Sequence, residues 1–490
     1  VTRLGAEALA TLGSKVAVPA YDRSQVTTGI VHFGVGGFHR AHQAMYLDRL
    51  LERGEATDWG ICGVGTLPGD RRMADALQGQ DGLYTLVVKH PDGSLDARVI
   101  GSITGYLYAP DDAESVLTVL TAATTRIVSL TITEGGYHFH PSTGEFDPDD
   151  PTLQADLQPD AVPRSVFGFI TEALARRRAS GTPAFTVMSC DNIEGNGDVA
   201  HRMITAFARL KDPELADWIE AQVAFPNSMV DRITPVTTEE DRQRVTEEFG
   251  IEDAWPVVTE PFTQWALEDH FPQGRPAYED VGVQVVDDVT PYELMKLRLL
   301  NASHQALCYL GYLAGYRFVH EVCQDELFTD FLLGYMRHEG QPTLQPVPGV
   351  DLDHYEHQLI ERFANPEVQD TLARLCAESS DRIPKWLVPV IRSQLAAGGP
   401  IERSALVVAA WARYAEGVDE QGRPIEVVDR LRDRLVERAR RQQEEPLSFL
   451  QERSLFGDLA DQPRFVATYT KALESLHSVG ARATLEAWGS

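Results

Sequence analysis

Paired cysteines are what this sequence most plainly lacks. Only Cys62, Cys190, Cys308, Cys323 and Cys376 occur in 490 residues, odd in number, far apart and without a C-x-x-C pair. That argues against a disulfide framework and reads as buried free thiols in a reducing compartment. Basic residues are also scarce, 44 against 73 acidic, for a formal charge of −29. Such a surface repels nucleic acid and anionic membranes, so neither is expected as a partner. No run approaches the ~18 apolar residues of a membrane span, and no charged stretch followed by an apolar one opens the chain. The expectation is a cytoplasmic protein. Repeats and low-complexity tracts are absent as well. What remains is ordinary globular composition, 43% hydrophobic and 24% charged. At roughly 100–200 residues per domain the length predicts two or three domains.

Along the first half, compact β-type runs alternate with helical patterns. A short helical pattern, Ala6 to Leu12, precedes the strand-like run Gly29 to Gly34. A helix is expected from Arg40 to about Arg53 and a second strand from Trp59 to Val64. Further strand-like runs are Arg126 to Thr133 and Ala184 to Ser189, with a helix from Ser165 to Arg178 between them. Alternation of this kind predicts an α/β fold with a parallel sheet covered on both faces. Beyond a turn-like break at Asp287–Pro291 strand signals nearly vanish. Long helical patterns follow, such as Tyr292 to Tyr312, Ser404 to Tyr414 and Pro424 to Gln443. The division expected is residues 1–286, α/β and including the Pro-rich stretch 210–285, and residues 287–490, mainly α-helical.

Gly34-Val35-Gly36-Gly37-Phe38-His39-Arg40 lies between an apolar strand and a helix. That is the context of a pyrophosphate-binding turn, where glycines admit the phosphates to the backbone and free helix N–H groups face them. His39 occupies the third small position of G-x-G-x-x-G, so alone the motif is equally a Gly-rich turn without a ligand. Asp70, after the second strand, is placed to accept from ribose hydroxyls and to repel a 2′-phosphate. The alternative is a surface aspartate in a Pro-Gly turn, and neighbouring Arg71 and Arg72 keep NADP open.

The stretch from Thr290 to His304 carries the most chemistry. Thr290 and Glu293 form a capping box with Pro291 at the first helical position. At ~100° per residue, Lys296, Asn301 and His304 fall at about 0°, 140° and 80°, on one face with apolar Leu300 among them. Desolvation and the positive helix end lower a lysine's pKa, and a neutral amine is a competent base toward an alcohol. Asn301 is suited to donate to a developing oxyanion and His304 to orient the same hydroxyl. The alternative is a solvated polar stripe.

Three more segments end apolar runs with polar residues: Thr133-Glu134-Gly135-Gly136-Tyr137, Ser189-Cys190-Asp191-Asn192, and Phe225 through Pro235 with Asp231-Arg232. The C-terminal edge of a parallel sheet is where such groups meet ligands. Arg232 is read as structural, ion-paired with Asp231 and locking two layers. His138-x-His140 raises a zinc site, but too few ligands lie nearby.

Together, Gly34 through His42, Thr133 through Tyr137, Ser189 through Asn192, Phe225 through Pro235 and the Lys296…Asn301…His304 helix resemble the polyol-specific long-chain dehydrogenase family. Similarity runs over essentially the whole length, including Asp253 through Val258 and Tyr316 through Glu321, and the Val230-Asp231-Arg232 segment is highly specific to that family. The resemblance implies a Rossmann-type N-terminal domain, a helical C-terminal domain, an active site between them and no metal. It implies NAD-dependent interconversion of a polyol and a ketose, D-mannitol and D-fructose, by a monomer or small homo-oligomer. D-Arabinitol oxidation and hexuronate (fructuronate) reduction are alternatives, and a non-catalytic NAD-binding sensor is another. By position Lys296 is the base, Asn192 and Asn301 bracket the reacting oxygen, and His304, Asp231 and Arg374 contact substrate hydroxyls. Glu293 matches a carboxylate that gates a water path to the base, a duty that competes with capping. Phe33 through Arg40, Asp70 and Glu134 fall on cofactor contacts. Two departures stand out: Arg382 replaces a lysine of the mannitol-oxidising member, and Gly69 precedes Asp70 where near relatives place two acids. A carboxylate substrate would want a bidentate arginine, which Arg374 or Arg382 could supply.

Overall fold

The computed structural model describes residues 1–12, 16–139 and 144–488. They form two compact units, Val1–Val289 and Thr290–Ser490.

The first unit is built on a parallel sheet of β1 (Thr28–Phe33), β2 (Gly60–Gly65), β3 (Ile103–Tyr108), β4 (Ile127–Leu130) and β5 (Thr186–Ser189). Their order is β3-β2-β1-β4-β5, the Rossmann arrangement in which the strand order reverses beside β1. Successive residues of β1 point to opposite sides, and each side has its own core. Val31 and Phe33 pack with Val128, Leu130, Phe167 and Ile170. Ile30 packs with Ile61, Ile127, Leu47 and Leu50 on the other side. Burial on both faces is why β1, β2, β4 and β5 read as compact apolar runs, whereas β3, at the sheet edge, is only part-buried.

Helix α1 (Gly37–Ala41) follows β1, and α2 (Gln43–Glu52) follows at once. The single helix expected there is broken at His42 (φ −125°, ψ −91°), whose ring nitrogen Nε2 donates to the Gln264 carbonyl at 2.8 Å. Residues 210–285 belong to this unit. They supply Ser228–Asp231, antiparallel to Gln264–Glu268, which runs parallel to Gln284–Val286. The expected helix Ala6–Leu12 is a short 3₁₀ turn, Ala6–Thr11.

The second unit is helical and, among the described residues, contains no strand. It opens with α3 (Thr290–Met295), continues through a π-helical turn (Lys296–Asn301), and runs on as α4 (Ala302–Leu313). Then come α5 (Glu326–Tyr335), a second π turn (Met336–Gly340), α6 (Leu372–Cys376), α7 (Glu402–Ala415) and α8 (Pro463–Trp488), the last kinked at Gly480. Helix α4 is buried on nearly every side, which marks it as the unit's central element. The helix expected over Pro424–Gln443 begins only at Arg432. Asp419 Oδ1 instead takes the N–H groups of Gln421 and Arg423 at 2.9 and 2.8 Å, closing a turn before Pro424. All five cysteines are free and buried, and burial pushes the Cys62 and Cys190 thiols up to about 12.

Candidate functional site

Gly34 leaves β1 at φ +86°, where an added Cβ would stand 2.1 Å from the Thr131 carbonyl oxygen. Only glycine fits there. The Thr131 hydroxyl donates to the Gly34 carbonyl at 2.7 Å, and Gly36 N–H turns back to the same oxygen at 2.8 Å. Phe33 and Val35 are buried beneath the turn, while Gly36 is exposed and Gly37 half-buried. Phe38 stacks on His42. His39, in the position where a small residue was expected, lies flat on His32 with ring centroids 3.4 Å apart. Its Nδ1 pairs with Gln43 Oε1 at 3.1 Å. Burial holds the His39 pKa at about 3 and His32 well below the usual histidine range, so both rings are neutral. The Arg40 guanidinium is buried too, donating to the Trp255 carbonyl and lying over Tyr84. Of the predicted cofactor residues, His39 and Arg40 therefore face inward, and what they offer a nucleotide is backbone.

Asp70 closes a short 3₁₀ turn after β2, its Oδ2 accepting from Thr66 and Leu67 N–H, each at 2.9 Å. The neighbouring arginines are engaged. Arg71 forms a forked pair with Asp111 and lies over Tyr108, and Arg72 lies over Trp255.

Asp191, beyond β5, organises the loop that carries Glu134. Its carboxylate accepts from Ile132 N–H (3.1 Å), Thr133 N–H (2.7 Å) and the Tyr137 hydroxyl (2.7 Å). Thr133 is held at φ +61° and Glu134 is exposed. Asn192 is exposed beside the buried Asp191. No role was assigned to Asp191 from sequence, although an acid closing an apolar strand beside T-E-G-G-Y was the available signal. Asp231 is buried at the end of its strand. Arg232 is structural as expected, but its guanidinium clips backbone carbonyls together, Ala41 at 2.6 Å and Glu260 at 3.0 Å.

In the helical unit the π turn revises the helical-wheel reading. Ala302 N–H reaches the Leu297 carbonyl, five residues back, so one residue more than an α-turn separates Lys296 from Asn301. In an i→i+5 ladder residues five apart come nearly above one another, and such turns recur at functional sites. The pair that an α-helix would hold about 140° apart shares a face. Lys296 is half-buried and Glu293 buried. Asn301 Oδ1 and His304 Nε2 are buried without a hydrogen-bond partner among the described residues. An orphaned buried polar atom costs about 1–3 kcal/mol, so two on adjacent turns leave hydrogen-bonding capacity unfilled.

His304 packs on Phe363, ring centroids 4.5 Å apart. Its pKa is lowered to about 3, by burial first, with the Asp370 carboxylate opposing and Arg374, Arg362 and Arg382 adding to the depression. The three predicted groups His304, Arg374 and Arg382 are thus neighbours. Arg374 is already held by Asp370 in a fork at 2.6 and 2.5 Å. Arg382 donates to the carbonyls of Leu375 (2.8 Å) and Arg374 (3.1 Å). Arg374 therefore does not present the open fork that a hexuronate carboxylate would require.

His304 also predicts a pH effect. The unfolded ring takes its proton near 6.5 and the folded ring only near 3, so stability falls as pH drops below about 6.5. At pH 5 the loss is on the order of 2 kcal/mol. Urea midpoints measured between pH 7.5 and 5 should fall less steeply in His304→Gln than in the wild type.

Among the described residues no group of three His, Cys, Asp or Glu is arranged to hold a metal. His138 Nδ1 pairs with Asp150 at 3.1 Å, and His140 lies outside the described residues. No helix among them is long and apolar enough to cross a membrane.

Comparison with known proteins places these features. The mannitol dehydrogenase Rossmann domain profile matches residues 28–280, and that of the mannitol dehydrogenase C-terminal domain matches residues 288–477. The chain is 50% identical over 474 residues to a mannitol 2-dehydrogenase of Phaeosphaeria nodorum, covering 96% of this chain and 83% of that one. Among solved structures, the Pseudomonas fluorescens mannitol 2-dehydrogenase ternary complex with NAD and D-mannitol is similar at 48% identity and TM-score 0.89, covering 99% of both chains. A substrate-free D-sorbitol dehydrogenase is similar at 37% identity and TM-score 0.92, covering 98% of this chain and 100% of that one.

Proposed function

Because the chain belongs to the mannitol dehydrogenase family and is an oxidoreductase, we propose that it catalyses NAD-dependent oxidation of D-mannitol to D-fructose and the reverse reduction. The observation that carries this reading is the pair of orphaned polar atoms, Asn301 Oδ1 and His304 Nε2, on the turn and helix that follow Lys296. They leave an amide oxygen and a ring nitrogen able to meet the hydroxyl groups of such a substrate.

The residues after β1 fit a dinucleotide. A Cβ at Gly36 would meet nothing nearer than the Gly34 carbonyl at 4.0 Å, which leaves space for a pyrophosphate against the backbone of residues 34–38. Asp70 Oδ1 is the atom offered to a ribose hydroxyl, since Oδ2 closes its own turn, and Glu134 lines the same edge of the sheet. NAD, when bound, supplies the hydride acceptor. Lys296 takes the proton from the C2 hydroxyl, and Glu293 gates its exchange with water. The amides of Asn192 and Asn301 donate to the oxygen as negative charge develops, an arrangement worth ~10²–10³ per donor elsewhere. His304, Asp231, Arg374 and Arg382 orient the remaining hydroxyls. The scheme needs no metal, and turnover should survive a chelator. A formal charge of −29 suits a chain that binds neither nucleic acid nor membrane, and buried free thiols suit the cytoplasm.

The test is a substrate screen of D-mannitol, D-sorbitol, D-arabinitol and fructuronate, each with NAD(H) and NADP(H). Best kcat/KM with mannitol and NAD is expected. Nucleotide binding with no turnover of any polyol would overturn the reading in favour of a sensor. Cofactor choice has its own prediction. In Asp70→Ala/Asp111→Ala the repelling carboxylate is gone and Arg71 is released to meet a 2′-phosphate. NADP kcat/KM should rise by about 10-fold relative to NAD, a charge-assisted contact's worth.

A further inference from the structure

The π turn of Lys296–Asn301 does not stand alone. The second π turn, Met336–Gly340, packs against it, and the contacts meet at one peptide. An α-helix would send Ala302 N–H to the Arg298 carbonyl, but in this helix that N–H is shared between the Leu297 and Leu299 carbonyls. The Arg298 carbonyl, passed over, accepts from the Tyr335 hydroxyl at 2.9 Å. Tyr335 is fully buried at the end of α5. The Arg298 side chain donates to the Thr343 carbonyl at 2.7 Å. Thr343 in turn donates through its hydroxyl to the Gly340 carbonyl at 2.6 Å.

The approach is tight at Gly340. Gly340 has ordinary helical angles (φ −75°, ψ −63°), so it is not there for conformational freedom. A Cβ on it would stand 2.9 Å from Leu299 Cδ2 and 3.3 Å from the Arg298 carbonyl oxygen. The second π turn is itself anchored. Gln394 Nε2 donates to the His338 and Glu339 carbonyls at 3.2 and 2.7 Å. The buried Glu339 carboxylate accepts from the N–H groups of Arg403 and Ser404, at 2.7 and 2.8 Å, at the start of α7. This anchored turn thus carries the tyrosine hydroxyl to the Arg298 carbonyl.

We propose that Tyr335, seated by Gly340, is a positioning residue for the reaction: its hydroxyl on the Arg298 carbonyl stabilises the π turn that puts Lys296 and Asn301 on one face. Without that bond the ladder gains by returning to α spacing, which turns the two side chains away from each other. The inference rests on Lys296 and Asn301 acting as proposed above.

The experiment compares full-length wild type, Tyr335→Phe, Gly340→Ala and Lys296→Ala. Tyr469→Phe serves as a control for losing a buried tyrosine hydroxyl, here one that donates to Gln442, elsewhere in the same unit. Expected for Tyr335→Phe and Gly340→Ala is a fall in kcat of about 10-fold or more with NADH affinity unchanged. The rising limb of the kcat/KM pH profile for oxidation should move up by about half a pH unit or more, as the amine leaves its fixed surroundings. Tyr469→Phe should lower thermal stability alone. Tyr335→Phe that matches Tyr469→Phe, less stable but with wild-type kcat and pH profile, overturns the positioning role. If instead Lys296→Ala keeps wild-type turnover, the proposed base is wrong, a failure separable from that of the tyrosine.

Discussion

Lys296→Ala is expected to lose turnover by ~10³-fold or more in both directions, the upper range of what one general base contributes, while NADH binding stays within about twofold of wild type. The nucleotide turn is built by Gly34–Arg40, in the other unit, so the two readouts separate. Stopped-flow hydride transfer with NADH fluorescence titration measures both. Added primary amines give a second check: a small amine that fits the vacated space should restore part of the rate, more so at higher pH, where more of it is neutral. A variant that retains the wild-type rate would remove the base from position 296.

Gly34→Ala should be nearly as damaging, by a different route. Its Cβ would fall 2.1 Å from the Thr131 oxygen, at a φ of +86°, so the turn must move or the strand pair must part. Strain at such a backbone costs about 1–3 kcal/mol before the clash is counted, and a total loss above ~4 kcal/mol belongs to the exceptional class of substitutions. NADH affinity should drop below detection in whatever protein folds. Thr131→Ala removes the hydroxyl that donates to Gly34 and pairs with buried His32 Nε2 at 2.9 Å, and should cost about 1–3 kcal/mol with measurable binding retained. If Gly34→Ala binds NADH as wild type does, the turn is not the pyrophosphate seat.

Four of the five strands were legible because they are buried on both faces and announce themselves as short apolar runs such as Ile30–Phe33 and Ile127–Leu130, whereas β3, a part-buried edge strand, was not expected. The chemical types on the Lys296–His304 segment were legible too, since lysine, asparagine and histidine on an apolar helix stand out. Their shared face was expected as well, but not the π turn that makes it. Periodicity assumes 3.6 residues per turn, and nothing in K-L-R-L-L-N declares an extra residue. The cause lies about 40 positions on, at Tyr335 and Gly340, and a local pattern cannot reach that far. The engagement of Arg374 by Asp370 was within reach, because an i,i+4 acid–base pair is a sequence signal, and it weakens the hexuronate alternative. The helix start expected at Pro424 failed for a local reason, the Asp419 carboxylate gathering nearby N–H groups into a turn before helix could form.

The burial of every thiol turns the cysteines into reporters. With Cys62 and Cys190 in the first unit and Cys308, Cys323 and Cys376 in the second, a reagent that reacts only with thiolate is kept from all of them until the surrounding structure opens. The rate at which each cysteine is labelled then times the opening of its own region. Mass spectrometry of the labelled peptides would show whether the Rossmann-type unit or the helical unit breathes first, with no mutation.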